Sequence, residues 1–102
     1  MFLTIQKDFL IREFSLSDFE SLFLIADNIN KQAAINKEFQ PFYAFNIDVR
    51  EKNYSEILKQ KTKIFLERAI FEKEQQPRST HRLALCLPNN KLIGNITVDI
   101  LP

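Results

Sequence analysis

Hydrophobic and polar positions change their spacing several times along this chain, and each change marks an element. From Asp8 to Phe14 they alternate: Phe9, Ile11 and Glu13 share one side, Leu10, Arg12 and Phe14 the other. That is the period of a strand. In the following SLSDFESLFLIADN, Phe19, Leu22, Phe23, Ala26 and Ile29 recur at helical spacing, which predicts a helix over about 18–28. Ser17 with Glu20 makes a capping-box pattern at its start, and Leu16 is placed to staple the first turn. Residues 30–36 add a short helical piece. EFQPFYAFN, residues 38–46, reads as a loop broken by Pro41. Asp48 with Glu51 is a second capping-box pattern. Beyond it Tyr54, Leu58, Phe65, Leu66 and Ala69 form the stripe of a long helix that ends before Pro77. Lys63–Glu67 and Arg68–Glu72 lie at i,i+4 on its polar side.

The period returns to two in HRLALCLPNNKLIGNITVDIL, residues 81–101, where two apolar runs flank Asn89-Asn90. Asparagine tolerates the positive φ of a two-residue hairpin turn. In that register Pro88 faces Lys91, Leu87 faces Leu92, Leu85 faces Gly94 and Leu83 faces Ile96. Ile96, Val98 and Ile100 continue one face, and Asn95, Thr97 and Asp99 the other. The order is strand, helix, helix, strand, strand: an α+β chain forming a single domain over 1–102, with no repeat or linker.

Composition narrows the chemistry. In 102 residues, 45% are hydrophobic and 26% charged, enough for one modest core built largely from ten Phe, with no Trp. Fourteen basic and 13 acidic residues leave a net charge of +1, so nothing draws the chain generally to nucleic acid or an anionic membrane. One Cys rules out an internal disulfide. No apolar run reaches membrane-spanning length, and MFLTIQKD lacks a signal-type core, so a cytoplasmic location is expected. A single Gly excludes any glycine-rich phosphate loop.

Particular residues add a resemblance. A strand ending in Ile11-Arg12 is followed by Ser-x-x-Asp/Glu and an amphipathic helix. A long charged helix leads to Gln76-Pro77-Arg78, then an apolar strand, an Asn-rich turn and Leu92-Ile93-Gly94-Asn95-Ile96. This ordered set, from Phe9 to Ile100, resembles the N-terminal half of a GNAT-superfamily acyl-CoA N-acyltransferase. The nearest branch is the one containing the ribosomal-protein alanine and serine acetyltransferases. The resemblance implies a truncated GNAT-like fold, with a three-stranded antiparallel sheet and two main helices. It implies transfer of acetyl from acetyl-CoA to a primary amine, on a protein N-terminus or a small molecule. In that family the pyrophosphate of acetyl-CoA sits on an Arg/Gln-x-x-Gly-x-Gly/Ala turn beyond the third strand. No stretch here matches it, so no cofactor-binding residue is carried over. The expectation is a partial domain, a truncated product or one piece of a longer protein, inactive alone.

Candidate residues follow from that placement. Phe39, Phe42 and Tyr43, with Phe45, occupy the position where such enzymes line the acceptor groove; aromatic clusters more often simply cap a core. Asp99 is the weak candidate for a base facing the amine, against the plainer reading of a solvated strand carboxylate, and Glu13 has the same two readings. Cys86, between leucines, reads as a buried thiol and His81 cannot hold a metal alone, so no metal site is expected. Lys59, Lys61 and Lys63 form a small basic patch on a wet helix face. Gly94 marks a bulge or a close packing contact. Without a further strand, Ile96–Ile100 is an open apolar edge. The alternative to an enzyme is therefore a non-catalytic interaction module, a homo-oligomer joined through that edge.

Overall fold

A computed structural model of the chain describes residues 2–6, 8–36 and 45–100. Its elements are β1 (Phe2–Gln6), β2 (Phe9–Glu13), α1 (Phe19–Ile35), α2 (Tyr54–Lys73), β3 (Thr80–Cys86) and β4 (Leu92–Asp99), with a 3-10 turn at Leu16–Asp18 before α1. The strands form one antiparallel sheet in the order β1-β2-β3-β4. The three expected strands are present, and β1, which the sequence reading leaves out, pairs irregularly with the outer side of β2.

Paired residues share a face of a sheet, so the register sorts the side chains. Leu10 opposes Cys86, and Arg12, Ala84 and Asn95 lie in one row. Buried Phe14, Ala84, Cys86 and Leu92 join Leu22 and Ala26 of α1 and Leu58, Phe65, Leu66 and Ala69 of α2 in a single core. Both helices therefore cover one face. Ala84 and Cys86 are fully buried small residues, which leaves room on the sheet for large rings from above. Phe65 fills it, edge-on to Phe14 at 5.4 Å and tilted against Phe45 at 5.2 Å. The opposite face carries Ile11, Leu85 and Gly94 in one row and Glu13, Leu83 and Ile96 in the next. None of these belongs to the core cluster.

The hairpin differs instructively from its expected register. Asn90 N–H donates to Leu87 O (2.8 Å), Leu87 N–H donates to Lys91 O (2.9 Å), and only Asn90 has positive φ there, 68°. The loop thus has three residues, Pro88 to Asn90, ending in a left-handed position. Leu92 pairs with Cys86, not Leu87, and Lys91 faces Leu87, not Pro88. A register shift between Leu85 and Cys86 leaves Ile93 extra, a bulge. It turns Leu92 inward to 5% exposure and Ile93 outward to 38%. Beyond it, Leu85–Gly94 and Leu83–Ile96 pair as expected. Gly94 adjoins the bulge, and a Cβ there would meet only Leu85 Cδ2 at 3.9 Å, so close packing is not its reason.

Both helix starts also move. The cap forms two residues early, at Ser15 and Asp18 rather than Ser17 and Glu20, with Ser15 N–H donating to Asp18 Oδ2 at 2.9 Å. Leu16, expected to staple, is exposed. α1 runs unbroken to Ile35, absorbing the short piece expected at 30–36. Asp48 and Glu51 form turns ahead of α2 rather than a capping box, and α2 begins after Asn53 in a left-handed conformation. α2 ends at Lys73, before the cis Gln76–Pro77 bond. Among the described residues, no helix is long and apolar enough to cross a membrane.

Candidate functional site

Most buried charge in this domain is consumed by structure. Arg12, inward between Leu10 and Phe14, forks onto Asp18: Nη2 donates to Oδ1 (2.7 Å) and Nη1 to Oδ2 (2.8 Å). Its Nε–H reaches Asn90 Oδ1 at 2.7 Å. Burial pushes the Asp18 carboxyl up, but Arg12 and the Ser15 N–H outweigh it and hold it below the usual range. Arg78 similarly grips Glu13 with two hydrogen bonds, 2.7 and 3.0 Å, lowering its pKa. Arg82 holds Glu72 and lies 5.4 Å over the Phe65 ring. Glu13 is thus an ion-pair partner inside the scaffold. These pairs tie strands to turns and helices.

A different arrangement lies between α1, α2 and the segment 45–50. Asn30 is buried on α1 at 3% exposure. Its Nδ2 donates to Phe45 O (2.8 Å) and, at 3.4 Å, to Tyr54 Oη; Ile47 N–H donates to its Oδ1 at 3.4 Å. Tyr54 Oη–H in turn donates to Asp27 Oδ1 (2.7 Å), and Asp27 pairs with Lys31 (2.8 Å). Burial and the Asp27 hydrogen bond both raise the Tyr54 pKa. One buried amide thereby fixes the path of the chain leaving Phe45, because an unpaired amide in this position is costly.

Beside Asn30 opens a cavity of about 500 Å³, lined by Ala33 and Ala34 of α1 and by Asn46, Ile47, Asp48 and Arg50. The two alanines leave the room. Asp48, gripped by the Arg50 side chain (2.9 and 3.1 Å) and its backbone N–H (2.9 Å), titrates down to about 2, so it is an acceptor at any ordinary pH. The cavity lining is half apolar, from Ala33, Ala34, Ile47 and Val49, and half polar, from Asn30, Asn46, Asp48 and Arg50, an arrangement suited to a small molecule with a polar head on a short apolar stem. A second, more open groove of about 500 Å³ on α2 is lined by Asn53, Ile57, Lys61 and Ile64 among others.

The residues singled out by sequence are scattered. Phe39, Phe42 and Tyr43 lie outside the described residues, while Phe45, of the same aromatic run, sits in the core at 3% exposure. Asp99 is exposed, accepts a hydrogen bond from Thr80 Oγ1 (2.9 Å), and is not among the residues lining the cavity. Cys86 is fully buried and its thiol is pushed up by burial. His81 pairs with Val98 on the opposite face of the sheet from Cys86, so the two do not meet. Among the described residues no group of three or more His, Cys, Asp or Glu is arranged to hold a metal. Sequence reading missed Asn30 and Tyr54–Asp27; the only available signal is a polar residue one turn beyond Ala26 on the buried stripe. The chain matches no known family model, no curated protein and no solved structure.

Proposed function

We propose that these residues form the acceptor side of an acetyl-CoA-dependent N-acyltransferase, the wall that holds a primary amine. The observation carrying this reading is the Asn30–Asp48 cavity, which opens between α1 and the segment 45–50 that leads to α2. Asn30 Oδ1 and the Asp48 carboxylate offer acceptors to an amine head, and Ala33 and Ile47 take its apolar stem. Arg50 neutralises Asp48, so selection is by hydrogen-bond direction rather than by net field. In such chemistry a neutral amine attacks the thioester carbonyl, and the protein contributes chiefly position. The single glycine lies in β4, so the sequence carries no glycine-rich turn of the kind that family uses for the coenzyme's pyrophosphate. The 102 residues alone are therefore expected to bind amine but not acetyl-CoA and to be inactive. Calorimetry tests both halves: heat from a primary amine and none from acetyl-CoA is expected. Micromolar acetyl-CoA binding, or an inert response to amines, contradicts the reading.

A second reading, a non-catalytic interaction module, rests on β4, which ends the sheet with no neighbour among the described residues beyond it.

A further inference from the structure

β4 is an unusual sheet edge. Native edges are blunted by lysines, prolines or bulges. Here the bulge falls at Ile93 and the only charge at Asp99, so Gly94–Val98 has neither. Which backbone groups are free follows from the ladder. Ile100 N–H donates to Ser79 O (2.8 Å) and continues the β3–β4 pairing. Groups alternate along a strand, so Ile96 and Val98 also face β3, whereas Asn95, Thr97 and Asp99 point their N–H and C=O away from the sheet.

Deepening the interaction-module reading and resting on it, we infer that a second copy of this chain pairs antiparallel with β4, about a two-fold axis through Thr97, joining the two sheets into one. The register is chosen by the strand itself. Centred on Thr97, the pairing runs Gly94–Ile100 and stops short of the bulge. Asn95 then opposes Asp99 of the second copy, an amide against a carboxylate. A register two residues further along sets Asp99 against Asp99 and costs like-charge repulsion. On the bare face of the sheet, Ile96 opposes Val98, which is 48% exposed in the single chain, and Gly94 opposes Ile100, 57% exposed. The side chain missing at Gly94 leaves space for the large one across from it, since only Leu85 Cδ2 approaches. Size and charge are both self-complementary, as a two-fold interface requires.

Sedimentation of the 102-residue chain across micromolar to millimolar concentrations tests this, with far-UV circular dichroism as the control for folding. The expected result is a dimer that dissociates on dilution. Thr97→Pro removes an outward N–H without touching the β3 ladder, and proline is tolerated at such positions. It should weaken the dimer at least about tenfold. Asn95→Asp should weaken it by setting two carboxylates across from each other, and adding Asp99→Asn to that change should restore it. A monomer at every concentration, or dimers indifferent to these changes, overturns the inference. Amine binding reads the cavity separately, so failure of either proposal is visible without the other.

Discussion

The Arg12 guanidinium and the Asp18 carboxylate meet fork to fork at 2.7 and 2.8 Å, with side-chain exposures of 11% and 8%. This pair fastens the end of β2 to the 3-10 turn that starts α1, and through Asn90 to the β3–β4 loop. Removing one partner strands a charge in an apolar setting. Arg12→Met or Asp18→Leu alone should cost about 3–5 kcal/mol, while the double change should recover much of it, because two matched apolar chains replace two paired charges. Urea unfolding of the three variants checks the non-additivity.

Acid stability follows from the same pairs. Arg78 lowers the pKa of Glu13, Arg82 lowers that of Glu72, and Asp18, despite burial, is also held low. A carboxylate lowered on folding contributes stability above its unfolded pKa and loses it as pH falls through the folded value. Stability should therefore stay level from neutrality down to the ordinary carboxylate range near 4.5, and decline below it. Glu13→Gln should flatten part of that decline in urea midpoints measured against pH.

The loop makes a sharper demand. Asn90 holds φ 68° and accepts from Arg12 Nε. Asn90→Ala loses both and should destabilise by roughly 1–2 kcal/mol or more. Asn90→Gly keeps the backbone and loses only the bond, so it should cost less. Thermal melts order the two.

Cys86 is fully buried against the helices and its thiol is shifted up. Labelling by a disulfide reagent should be negligible in the folded protein and complete in denaturant, with a native rate set by opening of the structure.

From β2 onward the element types are legible because periodicity is a property of the chain; β1 is not read, and boundaries are not, because caps compete. Ser15-x-x-Asp18 won over Ser17-x-x-Glu20 since Asp18 also answers Arg12, a partner on another element. The register of Leu85–Gly94 and Leu83–Ile96 came out as expected for a different reason: the loop is one residue longer and the Ile93 bulge restores the count. Arg12 could be read as inward from its neighbours Leu10 and Phe14, but its partner could not. The cavity depended on Asn30 bonding to Phe45 and Ile47 across the chain, which no local spacing encodes.

The cavity beside Asn30 is proposed to accept a primary amine. Amide chemical shifts recorded while a small primary amine is added, with the alcohol of the same shape as control, decide this. Saturable shifts are predicted at Asn30, Ala33, Ala34, Ile47 and Asp48, for the amine alone, abolished by Asn30→Ala. Shifts confined to other surfaces, or none for the amine, would contradict it.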